Sequence, residues 1–250
     1  MLWIRLAAAL LLYAIGSDQA LPAGTVVPVM LSTGLNAEKD TAGKKIEGSI
    51  MQDVPLPSGE KVGKGSRITG HVVSINKPGP SGATMVLKFD SIEDHGRTIP
   101  LTAALLAVAS MGSVADAQAP IEANSDVDPI SQWVTRQVGG DVVNRGRGKV
   151  ASHDGIVGRW VEGSWVLVRL TPNPKEGCPG GPGYDREQAV WIFSSAACGT
   201  YGFKNLKIAA SGRTPTPGEI ELKSSQNVAI RGGSGWLLIA IPQPTAPEHH

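Results

Sequence analysis

Thr84-Met85-Val86-Leu87-Lys88-Phe89-Asp90-Ser91-Ile92 is the stretch that decides the fold class. Met85, Leu87 and Phe89 fall on one side, with Lys88 and Asp90 on the other. This period of two belongs to a half-buried β-strand. Asp94-His95-Gly96-Arg97 follows as a tight-turn signal before residues 98–101, so the stretch is expected to be one arm of a hairpin. Upstream, residues 25–31 are rich in Val, residues 46–54 follow a turn region at 41–45, and residues 66–75 lie between Gly65 and Pro78-Gly79-Pro80. Each reads as a further strand. Downstream, residues 102–110 fit a buried strand or an Ala-rich helix equally well.

Beyond residue 110 the composition swings. Residues 111–131 carry Asp116, Glu122, Asp126 and Asp128 without any Lys or Arg. Residues 21–110 hold a single aromatic, Phe89, whereas residues 132–250 hold Trp133, Trp160, Trp165, Trp191 and Trp236 with Tyr184, Tyr201, Phe193 and Phe203. The shift predicts two cores joined by an acidic connector. At its end Asp128 can cap a helix, Pro129 suits its first position, and Ile130, Trp133, Val134 and Val138 share a face before Gly139-Gly140. Ser131 stands where a capping box would place Glu.

β character then resumes. His153-Asp154-Gly155 marks a hairpin turn, residues 159–170 read as one long strand, and residues 172–183 form a Pro/Gly-rich loop. Residues 189–193 are continuously apolar, as a strand buried on both faces should be. Residues 219–223 alternate, Val228 and Ile230 repeat the pattern, and residues 236–241 are apolar until Pro242. The expected fold is all-β, with two small β-barrel or sandwich domains at 21–110 and 132–242. An acidic linker at 111–131 ends at one short helix near the junction, and a disordered tail is expected at 243–250.

The N-terminus supplies an address. Arg5 among residues 1–4, the apolar run 6–15 and the polar residues 16–20 have the order of a secretory signal peptide. The run is shorter than the roughly 20 residues a membrane helix needs, and no later stretch reaches that length. The mature protein is therefore expected in the periplasm or secreted, without a membrane span. Net charge is +1, which gives no sign of polyanion or nucleic-acid binding. Hydrophobic residues make up 41%, enough for a folded core, while 31 Gly and 18 Pro imply many turns.

The two cysteines, Cys178 and Cys198, are expected to pair outside the cytoplasm, removing roughly 3 kcal/mol of unfolded-chain entropy. A zinc site is disfavoured, because Tyr184, Asp185 and Glu187 are the only other candidate ligands between them. The spacing is also not the Cys-x-x-Cys of a redox pair.

Catalytic signals are weak. Gly232-Gly233-Ser234-Gly235-Trp236 approaches a nucleophile elbow but fails at its last position and leads into a strand. His71, His95 and His153 lack metal-ligand spacing, and the latter two sit in turns beside Asp94 and Asp154. Asp126 with Asp128, and Asp185 with Glu187, could suggest paired acids, although a solvated face explains them as well. No catalytic residue, metal ligand or cofactor is assigned. Trp160 and Trp165, five apart, would face opposite sides of a regular strand. With Tyr184 they are the candidate ligand or interface residues.

The first 80 or so residues after the leader resemble the extracytoplasmic β-domain of the TrbI-like family, scaffolds of bacterial conjugation and type IV secretion channels. The likeness rests on an ordered set of segments. Leu21-Pro22-Ala23-Gly24-Thr25, Leu35-Asn36 and Val54-Pro55 come first, followed by Lys64-Gly65-Ser66-Arg67-Ile68-Thr69-Gly70. Leu87-Lys88-Phe89-Asp90-Ser91-Ile92 and Asp94-His95-Gly96-Arg97-Thr98-Ile99-Pro100-Leu101 complete it. The Gly-Ser-Arg-x-x-Gly element is its most specific part. The resemblance implies a small modified β-barrel or sandwich with a tendency to self-associate or to assemble with envelope proteins. The family's membrane helix, Pro-rich linker and later helical pair have no counterpart here. The expected function is thus a non-catalytic exported envelope protein that binds or scaffolds a protein or glycan. A carbohydrate-binding module using exposed Trp and Tyr, and a secreted hydrolase, are the alternatives.

Overall fold

The computed structural model describes residues 20–121, 134–163, 165–172, 174 and 183–243. The predicted leader, the predicted Asp128 cap, Cys178 and most of the predicted tail lie outside them. The described chain is all-β with one short helix. Its first strands are β1 (Val26–Leu31), β2 (Leu35–Asn36), β3 (Lys45–Ile50), β4 (Val54–Pro55) and β5 (Lys61–Val62). Then come β6 (Arg67–Gly79), β7 (Gly82–Asp94), β8 (Arg97–Pro100), β9 (Ala103–Ala109) and helix α1 (Met111–Gln118). A meander follows: β10 (Val134–Arg136), β11 (Val142–Asn144), β12 (Lys149–Ser152), β13 (Gly155–Val161), β14 (Trp165–Arg169) and β15 (Glu187–Ala189). The chain closes with β16 (Gly199–Tyr201), β17 (Leu206–Ala210), β18 (Ile220–Ser224), β19 (Ala229–Ile230) and β20 (Gly235–Ala240).

The larger sheet runs β16-β9-β20-β1-β3-β6-β7-β18-β17, with β8 beside β7. Its ends approach each other. Thr200 Oγ1 donates to Leu206 O at 3.0 Å, and Leu105 N to Ser211 O at 2.7 Å. The sheet is a nearly closed barrel. The period read at residues 84–92 is what fills it: Met85, Leu87 and Phe89 are all buried. His95 and Gly96 both take positive φ between the paired Asp94 and Arg97, the geometry a two-residue hairpin turn demands. In the Gly-Ser-Arg-x-x-Gly element, Gly65 has φ +91, and a Cβ on Gly70 would sit 2.3 Å from Lys88 O. Only glycine permits that strand approach.

The smaller sheet is an antiparallel meander, β10 to β15 in chain order. It lies over the β1-β20-β9 wall of the barrel, and that wall is buried on both faces. Trp236, Leu238 and Ala240 point into the barrel core, whereas Leu237 and Ile239 join the second core with Val166, Val168 and Trp191. Alanines 104, 107 and 109 of β9 also lie in this second core, their small side chains allowing the layers to meet closely.

Three expectations change, and one open alternative is settled. The division into 21–110 and 132–242 is not the division between sheets, because β16, β17, β18 and β20 all join strands of the N-terminal half. β20 satisfies the free edge of β1, from Val26 opposite Ile239 to Met30 opposite Gly235, and local pattern carries no trace of such a pairing. The helix occupies Met111–Gln118 inside the expected linker, capped by Ser110 Oγ accepting from Ser113 N at 3.2 Å. Val134, expected on a helix, begins strand β10. Residues 159–170 form two strands, since Gly163 with φ +74 turns the chain between β13 and β14. Residues 102–110 resolve as strand β9, because β20 and β16 pair on either side of it.

Candidate functional site

Trp165 opens β14 with φ +65, a left-handed conformation costing a tryptophan roughly 1–2 kcal/mol. Held this way, the half-buried ring packs against the second core and meets cations from both sheets. Lys64 Nζ, from the loop before β6, lies 5.2 Å from the ring centroid. Arg145 Cζ, from the β11–β12 loop, lies 5.4 Å away, and among the described residues the buried Arg145 Nε has no hydrogen-bond partner. Such contacts stabilise by about 0.5–1 kcal/mol at exposed sites. Asp53 secures the Lys64 loop, accepting from Lys64 N at 2.8 Å and Lys61 Nζ at 2.5 Å. Burial pushes the Asp53 carboxyl up, but these bonds outweigh it and hold the group below its ordinary range.

Trp160 faces Val166 across the β13–β14 pair, and Trp165 faces Val161. The two rings therefore sit on neighbouring strands rather than on one. Trp160 and Tyr184 are half-buried against the second core. Trp191 and Trp236 are 1% and 0% exposed and serve packing. Lys64 and Arg145 were not legible as partners of Trp165, because they are remote in sequence and carry no motif.

The outer face of β3, β6 and β7 forms a groove of about 430 Å³ lined by Glu47, Arg67, Thr69, His71, Asp90 and Glu93. Asp90 is the extra residue of a bulge, since Thr69 opposes Ser91 and Gly70 opposes Phe89. Bulges re-aim side chains, and here the Asp90 carboxylate meets His71 Nδ1 at 2.8 Å. Arg67 joins Glu47 and Glu93. A carboxylate-oriented imidazole is a general-base arrangement. The hydroxyls of Thr69 and Ser91, on the same two strands, bond to each other at 3.0 Å. His95 and His153 are exposed in their turns, with Asp154 bonding His153 Nδ1 at 2.9 Å. Ser234 is buried and accepts from Trp236 Nε1 at 3.0 Å, which gives it a packing role.

Between the two sheets lies a polar seam. Gln52 donates to Val166 O and accepts from Trp191 N, both at 2.7 Å. Gln188 accepts from Val26 N at 3.1 Å and donates to Gly24 O at 3.1 Å and Gly183 O at 2.7 Å. Arg186 reaches Pro55 O and Thr25 Oγ1, and burial depresses its pKa. Cys198 is buried and its N–H donates to Tyr201 Oη at 3.0 Å; the expected Cys178 partner lies outside the described residues. Among the described residues no group of three or more His, Cys, Asp or Glu could hold a metal ion. No helix there is long and apolar enough to cross a membrane. No family model matches the chain, and no curated protein matches it either.

Proposed function

We propose that this chain is an exported envelope protein with a non-catalytic binding or scaffolding role, related to the TrbI-like β-domains. The observation that carries the reading is the Lys64–Trp165–Arg145 surface. Two loops from different sheets converge on a backbone-strained, half-exposed aromatic ring, and strain of this kind concentrates at binding sites. An aromatic ring with flanking cations, held rigid from two sides, suits an interface anchor. The partner is an envelope protein or glycan. The Cys178–Cys198 bridge belongs to the same proposal, because export supplies the oxidising surroundings.

The test is affinity capture of tagged protein from its own envelope fraction, comparing the native chain with Trp165→Ala and with Lys64→Ala/Arg145→Ala. A specific partner retained by the native chain and lost from both variants is expected. Equal capture by all three would remove this surface from the proposal. Recovery of the chain in the cytosol with its leader intact and both thiols open to alkylation would overturn the export reading.

A further inference from the structure

The chemistry around Trp165 names the kind of group that this surface can meet. Lys64 Nζ lies 5.2 Å and Arg145 Cζ 5.4 Å from the centroid of the same indole. The positions of both charges are therefore fixed, over one ring. Arg145 Nε is buried, so the guanidinium is seated by its inner edge. Its terminal nitrogens make no hydrogen bond among the described residues and are the accessible side of the group. Neither cation has an ion-pair partner among the described residues.

The surroundings offer donors and withhold acceptors. Asp53 is the carboxylate beside Lys64, and each of its oxygens already holds a donor. Oδ1 takes the Lys64 backbone N–H at 2.8 Å, and Oδ2 takes the Lys61 ammonium at 2.5 Å. Asn144 Oδ1, next to Arg145, accepts from Arg147 N at 3.0 Å. What stays open is the Lys64 ammonium and the outer edge of Arg145, groups that can only donate. Their complement is a group that only accepts, and the planar fork of Arg matches a carboxylate. A neutral sugar fits poorly, because its hydroxyls donate as well as accept and the indole is already covered by cations. A lipid surface fits poorly too, since the ring packs against the second core instead of standing clear of the protein. Residues 142–152 add Arg147 and Lys149 to Arg145 without any acid, which strengthens the positive field.

We propose that this surface binds an acidic peptide segment of a partner protein in extended form, with one Asp or Glu carboxylate on Lys64 and a second on Arg145. The inference rests on the reading of the Trp165 surface as an interface and names the chemistry of its partner. Alternate residues of an extended chain point to one side and lie roughly 6.5–7 Å apart. That spacing suits two cations held 5.2 and 5.4 Å from one centroid.

The test is calorimetric titration of the full chain with an end-blocked eight-residue peptide alternating Glu and Thr, and with its counterpart alternating Gln and Thr. The Glu peptide is expected to bind with a Kd of about 0.1 mM or tighter at low salt, and the Gln peptide at least about tenfold more weakly. Lys64→Gln/Arg145→Gln should weaken the Glu peptide by about tenfold or more. Lys207→Gln/Lys223→Gln makes the same change in net charge at two exposed, paired positions of β17 and β18, and should weaken it by less than about threefold. Lys64→Arg/Arg145→Lys keeps both charges and should bind as the native chain does, which separates lost charge from lost folding. Equal losses in the two neutralised variants, or equal binding of the two peptides, would overturn the proposal. So would tighter binding to polygalacturonate or to phosphatidylglycerol vesicles than to the Glu peptide. Any of these results alongside envelope capture that still depends on Trp165 would refute the acidic partner alone. Capture indifferent to Trp165→Ala would instead remove the interface on which the inference rests.

Discussion

The barrel interior and the seam beneath the meander solve the problem of burial in opposite ways. The interior is apolar and its one indole N–H is met: Trp236 donates to Ser234 and stacks edge-on against Phe89, centroids 6.0 Å apart at 74°. The seam is built on Gln52, Gln137, Gln188, Asp141, Ser194 and Ser195, all buried. Among the described residues Gln137 Oε1, Trp191 Nε1 and Ser194 Oγ are left there without partners. Trp191 also holds a left-handed backbone, φ +50. The barrel thus concentrates stability, while the seam stores unsatisfied polar capacity and strain. Both properties are commoner at ligand and partner sites than in cores.

The strongest challenge to this contrast is deletion inside each region. Trp236→Ala should cost about 3–5 kcal/mol in urea unfolding, because a full indole leaves a close-packed interior. Gln52→Leu should cost about 1–3 kcal/mol by orphaning Trp191 N and Val166 O. A seam deletion matching the barrel deletion would erase the distinction.

Two carboxylates sharpen it through pH. Asp94, beside the barrel, is pushed up by burial, but Ser66 Oγ at 2.6 Å, Gly63 N at 3.1 Å and Arg97 together hold it below its ordinary range. Its folded pKa is depressed, so its stabilisation is present above the ordinary value of 3.8 and lost as pH falls through the folded value. Asp141, in the seam, is raised chiefly by burial against the opposing bond from Ser195 N at 2.7 Å. Its contribution has the other sign: fully present below 3.8 and lost as pH rises through the elevated folded value. Asp94→Asn should therefore destabilise at neutral pH, with the deficit shrinking in acid. Asp141→Asn should stabilise at neutral pH, with the gain vanishing in acid. Urea midpoints collected across that range would show the two profiles diverging, and parallel profiles would contradict the assignment.

The smallest effect tests the Trp165 surface. Lys64→Ala and Arg145→Ala should each lower stability by about 0.5–1 kcal/mol. The double variant tells whether the two cations act on the ring independently. Additive losses mean that they do.

Much of the strand content was legible because a pleated strand exposes alternate side chains to different media. Met85, Leu87 and Phe89 obeyed that rule, and the two-residue turns at His95-Gly96 and His153-Asp154 followed from their residue types. Residues 189–193 show where the rule fails. They are buried throughout, yet only Glu187–Ala189 is strand, because Trp191 turns left-handed and the chain leaves the ladder. Apolar continuity reports burial without reporting backbone. Helix α1 was missed for a related reason. Its Ala-rich turn buries only Val114 and Ala117, so no strong face marked it, although Ser110 offered a cap. Of the candidate site, Trp160, Trp165 and Tyr184 were visible as aromatics. Lys64 and Arg145, the cations over Trp165, were not.

By itself the sequence determined local alternation and turn chemistry, since each depends on residues within a few positions of one another. Tertiary structure decided that β20 would lie beside β1, that the C-terminal strands would complete an N-terminal barrel, and that two distant cations would share one indole. Those outcomes depend on which edges and faces remain unsatisfied after local structure forms, a property of the assembled chain.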